Sequence, residues 1–285
     1  MSLADNSPVT APVDLEERQR ARRRRLEQVA RYTLPILVMV LAIWLWDRIV
    51  AWNEIPHYIL PGPGRVWGSL TGDWNILYEA AQLTGKTTIL ALLLAVVGGA
   101  GLAILFDQSK LVEMSLYPYA VILQVTPVVA IAPLIFIYVE NKTVGMLLCA
   151  WIVAFFPVLS STTLGLKSVD HNLRDLYKIY GASRWQQLWM LQLPSALPYF
   201  LGGLKIAGGL SLIGAVVAEL VAGTGGVGAG LAARIQEAGY RLNIARMFAA
   251  LSMIAAMGVF IFAALSVLSY ALLHKWHESA VKRES

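Results

Sequence analysis

Few residues in this 285-residue chain have the types and spacing that chemistry needs. Thr84-Gly85-Lys86-Thr87 contains the Gly-Lys-Thr of a phosphate-binding loop. The first glycine of that motif would fall on Ala80, however, and no strand precedes it. Such loops work by wrapping backbone amides around phosphate, and here an apolar membrane run follows instead. Gly223, Gly225 and Gly228 fit G-x-G-x-x-G, but they follow an apolar run rather than a βαβ strand and read as a flexible turn with close helix packing. His274, His277 and Glu278 read as exposed tail residues, not as a metal site. No nucleophile elbow, HExxH or triad-like set is visible. Cys149, the one cysteine, makes neither an intrachain disulfide nor a structural zinc site. The expectation is a chain without covalent chemistry, metal or nucleotide of its own, whose uphill work draws on a partner or an ion gradient.

Polar residues inside apolar runs are the remaining candidates. Pro127 and Pro133 interrupt one run. Proline removes a backbone donor and clashes with the preceding turn, and freed carbonyls are tolerated at depth only against protein or a water-filled cavity. Gln124, Thr126 and Pro127 are therefore the expected pathway residues. Lys205 and Glu219 share a later run. At 1.5 Å per residue they lie about 21 Å apart along a helix and cannot pair with each other. Lys205 reads as snorkelling or lining the pathway, and Glu219 as sealing a gate or pairing across helices. Ser160 to Thr163 read as helix-packing hydroxyls, and Gly98, Gly99, Gly101, Gly202, Gly203, Gly208 and Gly209 as sites of close helix contact.

The elements that carry these residues follow from composition. The chain is 57% hydrophobic and only 14% charged, against about 25% for soluble domains. That excludes an ordinary soluble enzyme and a disordered protein. It also excludes most nucleic-acid binders, because the net charge of +5 is not spread over a folded surface. Six runs satisfy the length of about 20 apolar residues that a span requires: Thr33–Val50, Thr88–Phe106, Leu116–Val139, Thr143–Leu166, Leu197–Val221 and Ala245–Leu273. Surface helices are expected between Val66 and Leu83, after the Pro61-Gly62-Pro63-Gly64 turn. Residues 1 to about 25 read as disordered or loosely helical. The arginines from Arg18 to Arg31, with Lys167, Arg174, Lys178 and Arg184, outweigh Lys86, Lys142, Arg234 and Arg241 on the other side. This places both termini in the cytoplasm. The basic tail reads as an uncleaved anchor held near anionic lipid, not as a signal peptide or a nucleic-acid patch.

The internal loop Lys167 to Pro194 is the most informative stretch. Leu173, Leu176, Tyr177 and Tyr180 recur at helical spacing. Gly181 fits a left-handed C-terminal stop. Ser183 and Gln186 have capping-box spacing for a second short helix, which Pro194 is expected to end. A short helix with exposed aromatics on a glycine elbow suits a groove in another protein.

This loop resembles the membrane subunits of binding-protein-dependent ABC importers, whose signature is E-A-A-x3-G-x9-I-x-L-P. Gly181 matches the glycine, Leu191, Leu193 and Pro194 match I-x-L-P, and Asp175, Leu176 and Tyr177 occupy the E-A-A positions with both small residues enlarged. Leu60-Pro61-Gly62-Pro63, Thr126-Pro127 with Ala132-Pro133, Phe156-Pro157 and Gly203-Leu204-Lys205 leading to Ala218-Glu219 resemble the branch importing nitrate, sulfonates, taurine, bicarbonate and thiamine-precursor pyrimidines. The resemblance, from about Thr33 to Leu273, implies an all-α membrane protein: the six-helix bundle of a type I ABC importer permease in a bacterial inner membrane. Residues 33–273 would be the permease domain with its coupling loop at 167–194, between a basic tail at 1–32 and a C-terminal tail at 274–285. It further implies a second copy of this chain, two cytoplasmic ATPase subunits holding ATP and Mg, and an external solute-binding protein. Asp175, Leu176, Tyr177, Tyr180, Gly181, Ala182, Leu191, Leu193 and Pro194 would form the ATPase-coupling segment. The competing reading is a secondary transporter driven by an ion gradient, which gives no reason for the loop around Gly181.

Overall fold

The computed structural model describes residues 12–223 and 228–274, and every regular element among them is helical. The chain divides into two compact units, Met1–Arg65 and Val66–Ser285.

The first unit is dominated by α1 (Pro12–Trp52). Its apolar segment, Val29–Trp52, is long enough to span a membrane. Leu34, Leu37, Met39, Leu41 and Trp44 are all exposed, which suits lipid and not water. Arg48 lies over the Trp44 ring at 5.5 Å. The basic segment is more ordered than expected: from Pro12 onward it is continuous with the span helix. Residues 1–11, the tail from Lys275 to Ser285 (with His277 and Glu278), and Gly225 and Gly226 lie outside the described residues.

α2 (Pro63–Gly72) is the short helix expected after the Pro-Gly turn. α3 (Trp74–Gln108) starts earlier than the expected span and absorbs Trp74, Leu77 and Leu83, which were expected on surface helices. The Thr84-Gly85-Lys86-Thr87 stretch is thus interior helix, not a loop. The third expected span is two helices, α4 (Lys110–Val125) and α5 (Val128–Tyr138), bent by 103°. Pro127 makes the break, whereas α5 continues through Pro133, so only one of the two prolines interrupts the run. α6 (Lys142–Lys167) is followed by α7 (His171–Ile179) and α8 (Arg184–Gln187). α9 (Leu193–Ala222), α10 (Leu231–Tyr240) and α11 (Ile244–Leu273) complete the chain. Among the described residues, five helices are long and apolar enough to cross a membrane, or six when the bent pair counts as one span.

Pro194 does not end α8 as expected. A single π-type turn, Leu188–Gln192, joins α8 to α9, with Pro194 in the first turn of α9. The Leu193 N–H donates five residues back to the Leu188 carbonyl. Widening the turn spares the proline ring a clash with the preceding turn. The Ser195 hydroxyl donates to the Leu191 carbonyl at 2.8 Å.

α6 and α9 form the central pair, flanked by α3. A β-carbon at Gly214 would stand 2.8 Å from the Ala150 Cα, and one at Gly165 would stand 2.8 Å from the Ala196 Cα. Gly99 and Gly203 also meet α6 closely, as expected, while Gly101, Gly202 and Gly209 face open space. Small residues bring backbones together where lipid offers no hydrophobic drive for helix association. Gly214→Val should therefore destabilise the bundle by about 1–3 kcal/mol through overpacking, and Gly202→Ala should not. Thermal unfolding of the purified variants checks this, and equal midpoints for both would contradict the packing.

Candidate functional site

The segment from Ser168 to Leu193 is built as a short lever between fixed points. Asp170 caps α7 through its carboxylate, which accepts from the Asn172 N–H at 2.8 Å. The helix stops at Gly181, whose φ is +69°, in the left-handed region that glycine occupies without strain. The Ala182 N–H donates to the Tyr177 carbonyl and the Gly181 N–H to the Lys178 carbonyl, the paired bonds of a Schellman stop. Ser183 and Gln186 then form the expected capping box: the Gln186 N–H donates to Ser183 Oγ at 3.3 Å and the Ser183 N–H to Gln186 Oε1 at 2.7 Å.

No residue of α7 is buried. Ile179 and Tyr180 are 81% and 82% exposed, Leu173 and Leu176 are nearly half exposed, and Tyr177 and Ala182 are half-buried. Asp175 pairs with Lys178 at 2.9 Å on the outer surface, and that ammonium holds its carboxyl below the usual carboxylate range. Three bonds tie the base of the lever to the bundle. Arg174 Nη2 donates to the Leu166 carbonyl at 3.3 Å, Arg184 Nη1 to the Gln108 carbonyl at 3.2 Å, and Gln192 Nε2 to Asp107 Oδ1 at 3.0 Å. Leu191 and Gln192 are buried in the π turn, whereas Pro194 is exposed.

Gln124, Thr126 and Pro127 come together at the break in the third span. They line a half-open cavity of 370 Å³ together with Pro157 of α6 and Leu210 of α9. The Thr126 hydroxyl donates to the Ile122 carbonyl at 2.7 Å, beside the Thr126 N–H, which bonds the same oxygen at 3.1 Å. Towards the lever end, a second cavity of 360 Å³ is lined by Tyr117, Ser160, Ser161 and Thr163, with the Glu113–Lys167 ion pair at its edge. Ser160 and Ser161 thus face space as well as neighbouring helices, beyond the packing role read from sequence.

Lys205 and Glu219 join neither cavity. Lys205 is partly buried and has no ion-pair partner among the described residues. Glu219 is 1% exposed at the opposite end of α9 and is fully engaged. Thr84 Oγ1 donates to its Oε1 at 2.7 Å, and the Ala232 N–H donates to its Oε2 at 2.9 Å. The Leu231 N–H donates to Thr84 Oγ1 at 3.0 Å. One carboxylate therefore caps the first turn of α10 and ties it to α3 and α9. A β-carbon at Gly230 would overlap the Glu219 carboxylate. Thr84 stood out in sequence only as part of a rejected phosphate-loop match, and neither it, Gly230 nor Leu231 was expected beside Glu219. The available signal was a lone carboxylate in an apolar run, which demands a partner without naming it. At the same end, Arg246 grips Asp73 through two bonds of 2.7 Å, joining the start of α3 to the start of α11. The guanidinium holds the Asp73 carboxyl below the usual carboxylate range.

Residues 95–282 match the family model described as "Binding-protein-dependent transport system inner membrane component". A probable ABC transporter permease protein of Haemophilus influenzae is 33% identical over 217 residues, covering 76% of this chain and 87% of that one. The taurine transport system permease protein of Escherichia coli is 30% identical over 254 residues, covering 86% and 90%. Other relatives are named for riboflavin, formylaminopyrimidine, aliphatic sulfonates and nitrate. A crystal structure of an amino acid ABC transporter with histidines has the same fold, with a TM-score of 0.59 at 17% identity over 73% of this chain and 97% of that one.

Two outcomes test the ties at the α10 end. Glu219→Ala strands the Ala232 N–H in a buried site and should cost about 2 kcal/mol, read as a lower unfolding midpoint. An unchanged midpoint would contradict the cap. Because the Asp73 pKa is depressed, its pair with Arg246 should stabilise fully above the ordinary carboxylate value, and that contribution should fade as pH drops through the depressed one. Asp73→Asn should be less stable than the native chain at pH 7, with the gap closing in acid. A gap that persists at the lowest pH would exclude the ion pair as its source.

Proposed function

The chain belongs to the family of binding-protein-dependent transport system inner membrane components and is the multi-pass permease of an ATP-driven importer, and from this premise we propose that α7 is the lever through which separate ATPase subunits drive it. The observation that carries the reading is the exposure of α7. A helix in which no residue is fully buried presents Leu173, Leu176, Ile179 and Tyr180 outward, away from its own bundle. Its apolar face awaits a groove in a partner.

In this reading both termini and α7 lie in the cytoplasm, and two copies of the chain stand above two ATPase subunits. ATP and Mg bind on those partners, and this chain hydrolyses nothing. Closure of the ATPase pair draws the two α7 levers together. The ties at Arg174, Arg184 and Gln192 deliver that displacement to α6 and α3, and the π turn passes it along the chain to α9. The spans then exchange an inward-open for an outward-open arrangement, accept solute from an external binding protein, and release it inward after hydrolysis. ATP supplies the bias because it favours the closed ATPase pair, so the conformational equilibrium of the permease shifts with it. The cavity at Gln124, Thr126 and Pro127 lies on the solute pathway. Glu219 does not meet solute and instead holds α10 in place at the entry end.

Ile179→Asp and Tyr180→Asp place a charge on the docking face without touching the bundle. Each should reduce co-purification of the ATPase at least tenfold and abolish solute uptake, while the permease still inserts and unfolds at the native temperature. Native levels of both uptake and co-purification would remove α7 as the docking element.

A further inference from the structure

The cavity at the broken span has a lining whose chemistry bears on what can cross it. Gln124 and Thr126 are its only polar side chains, and the remaining seven residues are aliphatic or proline, among them Leu123, Pro127, Pro157 and Leu210. Among the described residues of this chain, no ionisable side chain lines it. Lys205 is absent from the lining, and Lys167 and Glu113 neutralise each other in the separate cavity nearer the lever. The Thr126 hydrogen is spent on the Ile122 carbonyl, so its oxygen offers only acceptor capacity. The Gln124 amide has no hydrogen-bond partner among the described residues and supplies both donors and an acceptor. At about 30 Å³ per water molecule, 370 Å³ holds roughly a dozen waters or an organic molecule of similar size.

We infer that this cavity selects small neutral organic solutes bearing hydrogen-bonding edges, such as heterocycles with amide-like donors and acceptors, and disfavours free inorganic anions. The inference rests on the pathway reading above and adds the solute class to it. An anion entering among aliphatic side chains sheds water and meets no cation in exchange, a loss that one amide does not repay. A neutral solute with matched donors and acceptors exchanges its hydration for Gln124 and Thr126, and its apolar faces meet Leu123, Leu210 and the prolines.

Charge preference can be read without knowing the solute. The complete permease–ATPase complex in lipid nanodiscs carries Cys149→Ala together with Gln124→Cys or Thr126→Cys. It is treated with three methanethiosulfonates of similar size: neutral 2-hydroxyethyl, anionic 2-sulfonatoethyl and cationic 2-trimethylammonioethyl. Modification is followed by the intact mass of this chain, and each rate is divided by that of 2-mercaptoethanol with the same reagent. The neutral reagent should react at least tenfold faster than either charged one, at a rate that differs between the nucleotide-free and ATP–vanadate-trapped states. Adding Leu210→Lys should raise the anionic rate at Gln124→Cys at least tenfold, which a route through lipid would not do. Normalised rates within twofold for all three reagents would overturn the charge selection and leave the pathway intact. Modification that is absent, or indifferent to nucleotide, would overturn the pathway reading and this inference with it.

Discussion

In hydrocarbon, a backbone donor or acceptor without a partner has no water to turn to, and this constraint organises the second unit of the chain. Among its described residues, the helices depart from regular hydrogen bonding at Pro127, before Pro194 and at the start of α10. At Pro127 the helix stops, and the Thr126 N–H and hydroxyl both donate to the Ile122 carbonyl in its last turn. Before Pro194 the helix widens by one residue, so that Leu193 reaches Leu188 and Ser195 covers Leu191. At the start of α10, Glu219 and Thr84 take the first two N–H groups. The irregular places are where the helices bend, hinge and turn, and the side chains that repair them are the polar ones that a purely structural apolar bundle would omit.

The same constraint explains what was legible in sequence. Short-range repairs announce themselves by residue type and spacing: Gly181 as a helix stop, Ser183 with Gln186 as a capping box, and Thr126-Pro127 as a break. Each involves partners within about five residues, so the pattern alone is sufficient. The apolar runs were legible for a similar reason, because the length of a span is set by the membrane and not by any neighbour.

Long-range arrangements were not legible. That Gly165 and Gly214 are pinned against α9 and α6 while Gly202 and Gly209 face open space depends on the rotation of one helix against another. Local sequence does not encode this when all faces are apolar. The partners of Glu219 lie 135 and 13 residues away, and nothing near Thr84 distinguishes it from the other threonines of α3. The π turn is a compromise between a helix that must continue and a proline that resists it. A rule that lets proline end helices misses it, because here the gain from packing α9 against α6 outweighs the cost of one irregular turn.

α9 links these features mechanically. Its 30 residues run about 45 Å at 1.5 Å per residue. They carry the π turn at one end, Leu210 against the broken span near the middle, and Glu219 at the other end. A displacement applied at Gly181 must pass through α8 and the π turn before it reaches α9, and Gln192 fastens that turn to the end of α3. A regular α-helix would transmit rotation and translation together. A π turn has one residue to spare, and recovering or losing it re-registers the helix that follows. α9 therefore follows the lever through the π turn, walls the cavity at Leu210 and holds the α10 tether at Glu219. Under the proposed mechanism, a small movement at the lever end would alter the cavity while the cap at the far end stays seated.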